Sequence, residues 1–543
     1  MSQPKPSSSE EVKAPTLDHI EARGVDELQP SEKIDDARGQ AITGYESLSV
    51  FETVKTFKMA TFICFLAAFS AATDGYQIGM NGSIVANKGF IQQFATEVNA
   101  KGDLYLASPV LVGWSSIMSV GQIIGMTTLP FLAGRYGRKV SMYTYWLIIT
   151  ASVITESLAR SWPHWLVAKL LAGVGVGCLQ FTIPSYISEV APNRIRGSLL
   201  MCYSLWWTAG SFFAYIALQT MARKDPYNWL RPVLTQWAQV GLMLIIYIFL
   251  PESPAWCATK GDTERGKRAL RRIHSGVNGY DVDYQYQILC LAVEHEQTIA
   301  AEQNHQSWTS IFKGVNGFRT VVSLWTNMST QFVGLTLFGT FGTYFFQQAG
   351  LDNPFMIKCI VSGINIGTIF VIIYCADLIG RRLIACCATT LAWLSCVAIG
   401  ILGVSPQVKA TNYIFVLFAV LWNIGMTGNG AAGWGFIGEI SSQRLRPYTA
   451  GFGAASTCVV GVLMSTLVPY MVNANQWAWG FKTGWFYAGV GLPFTVGMWL
   501  LIPETRGRSA AELDELFGRR IKPWRFHKTQ TATQRLVELE QHK

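Results

Sequence analysis

Charge is confined to three stretches of the sequence, and that confinement limits the available folds more than any other feature. Of the 43 Lys and Arg and 34 Asp and Glu, 17 fall in residues 1–56, 16 in 251–320 and 15 in 503–543, leaving 29 for the other 376 positions. A soluble protein carries about 25% charged residues; here the figure is 14%, against 50% hydrophobic. These proportions exclude a soluble multidomain enzyme, a disordered scaffold and a small disulfide-stapled fold. A polytopic membrane protein remains, because segments inside a bilayer must satisfy their own backbone hydrogen bonds as helices of about 20 apolar residues.

Apolar runs lie at roughly 57–80, 108–131, 140–158, 164–187, 198–219 and 233–250, then at 320–346, 355–376, 383–403, 412–438, 449–471 and 482–502. They predict an all-α membrane protein of twelve transmembrane helices in two six-helix bundles, at 57–250 and 320–502. Basic clusters (Arg135, Arg138 and Lys139; Arg194 and Arg196; Arg381 and Arg382; Arg444 and Arg446) fall at alternate helix junctions, as cytoplasmic loops require. Both termini and the central loop are therefore expected in the cytoplasm. The net charge of +9 is scattered through these clusters, so no nucleic-acid partner is expected. Residues 1–56, with 11 acidic and 6 basic side chains, predict a disordered tail and not a signal peptide. Residues 251–319 form a central loop with amphipathic helices, and 503–543 a C-terminal tail. The 11 cysteines sit mostly inside apolar runs without metal-type spacing, and no His lies in a helix interior beside a nucleophile. No metal, no cofactor and no enzymatic reaction are expected.

The two halves repeat each other. Arg135-Tyr136-Gly137-Arg138-Lys139 recurs as Leu378-Ile379-Gly380-Arg381-Arg382, Glu189 with Arg194 and Arg196 recurs as Glu439 with Arg444 and Arg446, and Pro251-Glu252-Ser253 recurs as Pro503-Glu504-Thr505. The offsets of 243, 250 and 252 residues imply a duplicated six-helix unit. Paired repeats are how secondary transporters build a midplane site that opens to alternate sides.

With Gly-Arg-Tyr-Gly-Arg-Lys at 134–139, Pro-Ser-Tyr-Ile-Ser-Glu at 184–189, Pro-Glu-Ser-Pro-Ala-Trp at 251–256 and Pro-Glu-Thr-Arg-Gly-Arg at 503–508, the chain resembles the sugar-porter family of the major facilitator superfamily over roughly residues 57–520. Residues 343–350, 468–471 and 477–484 resemble its fungal α-glucoside and hexose permeases. The resemblance implies a fungal transporter for a sugar or related polyhydroxylated solute, working by alternating access, passive or proton-coupled. It implies a multi-pass protein of the plasma membrane, functional as a monomer, with a small-molecule substrate, the lipid bilayer and a candidate proton as its partners. A non-sugar fungal metabolite is the alternative cargo, and a transporter-like nutrient sensor the alternative class.

The resemblance also places candidate residues. Gln331, Thr336 and Trp434 stand where the family contacts sugar, and Asn429, a further polar group in a Gly-rich helix, and Gln77, which replaces the family's Asp in helix 1, join these substrate-binding candidates. Helix 5 offers Ser204 and Ser211, and helix 11 Thr457 and Cys458, where the family often places larger polar or aromatic side chains. Asp74 and Lys169 are the proton-coupling candidates, since intramembrane charges are costly and functional by default; Gln122 and Ala454 are uncharged where the α-glucoside group carries charges. A cytoplasmic charge latch between the bundles is expected from Arg138, Glu189, Arg196, Glu252, Asp377, Arg381, Glu439, Arg446 and Glu504. The family's Asp before the first Arg is retained at Asp377 but is Gly134 in the first half.

Overall fold

The computed structural model describes residues 49–529 apart from 99–101, 278, 304–307, 349, 352, 407, 442–444, 474 and 506–509. The tail expected at 1–56 lies outside them up to residue 48. Its last part is helical, Val50–Thr56, started by a capping box in which Ser49 Oγ accepts from Glu52 N and the Glu52 carboxylate accepts from Ser49 N.

Among the described residues twelve helical spans follow the apolar runs. Spans 1 to 6 are Lys58–Ile84, Ser108–Tyr136, Arg138–Leu158, Trp162–Val190, Arg196–Lys224 and Leu230–Phe249. Span 7 comes in three pieces, Gly314–Phe332, Leu335–Thr340 and Gly342–Gln348, and spans 8 to 12 are Pro354–Ile379, Arg381–Leu402, Lys409–Ile440, Arg446–Val472 and Thr483–Leu501. Ten of the twelve contain a stretch long and apolar enough to cross a membrane; the other two are span 3, which carries Glu156 and several hydroxyl residues, and the broken span 7. Helices Pro254–Thr259, Thr263–Ile273 and Val282–Gln303 separate the two sets of six. Thr263–Ile273 buries Gly266, Ala269, Leu270 and Ile273 and turns its arginines outward. Next to its end, His274 stacks on Tyr280 with ring centres 4.5 Å apart and meets the edge of Phe57, which docks this helix at the start of span 1. Burial pushes the His274 imidazole down to about 4, so the stack is neutral at neutral pH.

Spans 2 and 4 pack through interlocked glycines four residues apart, Gly121 and Gly125 against Gly173 and Gly177. A Cβ on Gly173 would stand 3.1 Å from the Cα of Gly121, and one on Gly125 would stand 3.1 Å from the Cα of Gly177. Such small-residue seams let backbones approach where lipid supplies no hydrophobic drive.

Span 7 breaks at Gly334, whose φ of 102° is left-handed, and continues as a π-helical stretch in which Phe341 N donates to Thr336 O at 3.0 Å. Neighbours take up carbonyls along the break. Val333 O accepts from Trp422 Nε1 at 2.7 Å and from Cys396 Sγ at 3.3 Å, while Lys358 Nζ donates to Phe338 O at 2.5 Å and to Gly339 O at 3.2 Å. Beyond the break, the outer piece of span 7 meets span 1: Ser83 Oγ lies 2.8 Å from Thr343 Oγ1, and Gln347 Nε2 donates to Ala86 O at 3.2 Å. Asn473 Nδ2 donates to Ser108 Oγ at 3.0 Å between spans 11 and 2. These bundle-to-bundle bonds lie at the end opposite the basic clusters.

Gly173→Leu is expected to cost on the order of 3 kcal/mol by overpacking the seam, visible as a fall in thermal stability of the detergent-extracted protein. Gly113→Ala on span 2, away from the seam, where the added Cβ would meet only Leu166 Cδ1 at 3.4 Å, should be tolerated.

Candidate functional site

The polar residues of the second bundle gather around the break in span 7. Thr336 Oγ1 donates to Gln331 Oε1 at 3.4 Å, both side chains being buried, and Gln331 also faces Gly461 of span 11. Asn429 of span 10 donates from Nδ2 to Ser329 Oγ at 2.9 Å. Among the described residues its Oδ1 is buried without a hydrogen-bond partner, and so is Nδ2 of Asn327 in span 7. Of the expected substrate contacts, the structure thus brings Gln331, Thr336 and Asn429 to spans 7 and 10. Trp434 stands five residues after Asn429 on span 10, with its side chain outside the described residues.

Gln77 has a different setting. Lys169 Nζ donates to Glu156 Oε1 at 2.9 Å and to Gln77 Oε1 at 3.3 Å; Gln77 Nε2 donates to Gln236 Oε1 at 2.6 Å; Gln236 Nε2 donates to Glu156 Oε2 at 2.9 Å. The four side chains, from spans 1, 3, 4 and 6, close a ring at 0 or 1% exposure. Ser152 Oγ also reaches Glu156 Oε1 at 3.4 Å, and the Lys169 ammonium lies 4.6 Å from the centre of the Trp165 ring. One carboxylate and one ammonium make the ring neutral, and each amide both donates and accepts. The Gln77 carboxamide is therefore engaged by protein at both its oxygen and its nitrogen. Sequence reasoning missed Glu156 and Gln236. A single acid inside the run at 140–158 was the available signal.

Asp74 lies one turn earlier on span 1, fully buried and outside that ring. Its Oδ2 accepts from Gln180 Nε2 of span 4 and from the Tyr203 hydroxyl of span 5, both at 3.1 Å, and Oδ1 has no hydrogen-bond partner of good geometry. The donors around it are neutral, and Lys169 is committed to Glu156.

At the charged end, Arg138 holds Glu189 through Nη2 at 2.6 Å and Nε at 3.1 and 3.2 Å, a fork-like pair with both side chains under one-fifth exposed. Glu252 caps the start of span 3: Oε1 accepts from Arg138 N at 2.9 Å and Lys139 N at 3.2 Å, beside Gly137 with φ 111°. The Glu504 carboxylate stands in the same place beside Gly380, φ 99°, so the repeat read from sequence returns as repeated geometry. Lys139 Nζ and Arg382 Nη2 each bind carbonyls near the end of the sixth or twelfth span, at Leu250 O and Trp499 O, both 2.9 Å away. These contacts differ from the bundle-to-bundle latch expected of them. Arg138, Glu189 and Glu252 join spans 3, 4 and 6 of one bundle, because each carboxylate lies within reach of a helix start of its own repeat. Arg196 is exposed and Arg381 half-buried, and the side chains of Asp377, Glu439 and Arg446 lie outside the described residues.

Residues 63–517 match the family described as sugar (and other) transporters. The MFS transporter fmqE of Aspergillus fumigatus is 29% identical over 533 residues, covering 95% of this chain and 97% of that protein. The general alpha-glucoside permease of Saccharomyces cerevisiae is 26% identical, covering 91% and 81%. Among solved structures, an inward open conformation of the xylose transporter XylE from E. coli aligns with a TM-score of 0.68 at 20% identity, over 84% of this chain and 99% of that one; this shows the shared fold.

Glu156→Gln strands the Lys169 ammonium and should destabilise the protein by about 3–5 kcal/mol. Adding Gln77→Glu puts a carboxylate where an oxygen already stands 3.3 Å from Nζ. The double variant should recover most of the loss, as read by thermal unfolding.

Proposed function

The chain belongs to the sugar (and other) transporter family of the major facilitator superfamily, and from that membership we propose that it moves a sugar of hexose or α-glucoside type, or a related polyhydroxylated solute, by alternating access between its two bundles. The observation that supports this most is that, among the described residues, span 10 carries a buried orphan acceptor, Asn429 Oδ1, and span 7, which also carries Gln331 and Thr336, a buried orphan donor, Asn327 Nδ2. An unmade hydrogen bond is costly in a low-dielectric interior. A sugar hydroxyl, which donates and accepts at once, relieves both kinds of deficit, and an aromatic face at Trp434 complements the apolar side of a pyranose. Uptake of a panel of radiolabelled sugars and polyols in transporter-null yeast tests the reading; transport of none of them would overturn it. Within such an assay Trp434→Ala is expected to raise the half-saturation constant by an amount equivalent to about 1–3 kcal/mol while expression stays near normal.

A non-sugar fungal metabolite is the second reading, and one observation favours it. Ser211 Oγ donates to Gly75 O at 2.8 Å and Thr457 Oγ1 to Gly453 O at 2.9 Å, so these hydroxyls of spans 5 and 11 serve helix backbone where the family often presents amides to sugar.

The charged end is the cytoplasmic one on this reading, from the positive-inside bias of its loops, and the protein sits in the plasma membrane of a fungal cell as a monomer. The bundles correspond to 57–250 and 320–502, joined by the central loop at 251–319. Arg138 with Glu189, Glu252 and Arg196, and in the second repeat Arg381 with Asp377, Glu439, Arg446 and Glu504, fix the cytoplasmic ends of the helices that move as units.

Transport is passive on the same reading. The Lys169 ring is neutral and closed, and among the described residues Asp74 is hydrogen-bonded only to uncharged side chains. Uptake should stop at equilibrium, ignore protonophores, and survive Asp74→Asn with at most a severalfold change, because the Asn carbonyl oxygen can still accept from Gln180 and Tyr203. Accumulation above the external concentration, abolished by Asp74→Asn, would assign the proton to Asp74 instead.

A further inference from the structure

Lys358, in the first turns of span 8, is a buried cation that neither the sequence reading nor the transport mechanism above uses. Its side chain is 7% exposed, and among the described residues it enters no ion pair. Its ammonium donates to the carbonyls of Phe338 and Gly339 within the π-helical stretch of span 7, and it stands 5.4 Å from the centre of the Tyr215 ring of span 5. Gly342 leaves it room, since a Cβ there would lie 2.8 Å from Nζ. Two of these partners belong to the second bundle and the third to the first.

We propose that Lys358 is the positioning residue of the outer gate: it fixes the outer piece of span 7 where that piece closes on span 1, and it is covered by Tyr215 only while the gate is shut. The proposal rests on the transport reading and its orientation. Span 7 does not continue as a regular helix through Gly334, so the carbonyls of its π stretch need a donor from elsewhere. A lysine on the adjacent span supplies it. The segment so fixed carries Thr343 and Gln347, which bond Ser83 of span 1 and Ala86 just after it. Tyr215 closes the remaining face by a cation–π contact, strongest when water is absent. Arg223 Nη2, 3.4 Å from Met356 Sδ, flanks the same joint between spans 5 and 8. Parting the bundles at this end takes Tyr215 away from the ammonium and admits water, so the contact differs between the two states, as a residue that biases a two-state equilibrium must.

The test reads the gate without substrate. A reporter cysteine at Ala86→Cys in the full-length protein, in intact cells, is labelled with a membrane-impermeant maleimide from outside, against the same protein lacking the reporter. With Lys358→Met, labelling should accelerate about tenfold, since charged hydrogen bonds of this kind shift an equilibrium by roughly that factor; Lys358→Arg, which keeps the charge, should shift it far less. External half-saturation should fall together with turnover, a paired change that loosened packing would not give. Tyr215→Leu leaves the ammonium and both carbonyls in place and should accelerate labelling severalfold, which keeps the test decisive should Lys358→Met fail to reach the surface. Wild-type labelling in either correctly inserted variant overturns the proposal. Labelling only from the cytoplasmic side of wild-type membranes would instead overturn the orientation.

Discussion

Everything particular to this structure follows from the cost of leaving a backbone carbonyl unpaired in a bilayer. A continuous helix avoids that cost unaided, and eleven of the described spans run close to that limit, with short 3₁₀ or π adjustments at most. Span 7 does not, because Gly334 turns left-handed and the following residues are π-helical. Side chains from spans 8, 9 and 10 are then committed to it: Lys358, Cys396 and Trp422 donate to its carbonyls. The break also sets the polar cluster in place, since Gln331 lies just before it and Thr336 just after. A regular helix would have kept those two residues five positions apart on a fixed register, without the bend that lets the outer piece lean on span 1.

The first bundle answers the same constraint with charge. Lys169 would be untenable alone at zero exposure. It is held by Glu156 from the preceding span and by the amides of Gln77 and Gln236, each of which donates one hydrogen bond and accepts one within the ring, the kind of pairing and hydrogen bonding that lowers the cost of a buried ion pair. The arrangement also separates two acids that composition alone treats alike. Glu156 is fixed by three partners, one of them charged; Asp74 has two neutral donors on one oxygen and nothing of good geometry on the other.

The fold was legible because its signals are one-dimensional. Charge-free runs mark the spans, and the offset between Gly137 and Gly380 marks the repeat, which reappears as two left-handed glycines facing two carboxylates. The membership of the family was legible from the same motifs. Interiors were less so. The run at 320–346 reads as one helix because glycine tolerates a helix nearly as well as a break, and only the partners on three other spans make the break stable. Lys169 and Asp74 were singled out as buried charges, yet Glu156 and Lys358 were not, since what matters about them is which neighbour they meet across the bundle. Gln77 drew attention as a replacement of an acid; its amide is in fact consumed by Lys169 and Gln236. Arg138 and Glu189 were both assigned to a latch between the bundles, although their numbers already put both in the first bundle, and the structure pairs them there.

That last point bears on how the two ends of the molecule differ energetically. At the charged end the strong bonds described, Arg138 to Glu189 and Glu252 to the start of span 3, stay within a repeat, so they stiffen a bundle and do not oppose its rotation. At the opposite end the bundles are joined by neutral hydrogen bonds, Ser83 to Thr343, Gln347 to Ala86 and Asn473 to Ser108, each worth about 0.5–1.5 kcal/mol net, beside the contacts of Lys358 with the Tyr215 ring and of Arg223 with Met356. A carrier needs bundles that hold their shape and an interface that gives way, because states that interconvert during turnover must lie within a few kcal/mol of each other. Strong pairs inside the moving bodies and weak ones between them meet both requirements with the same small set of side chains.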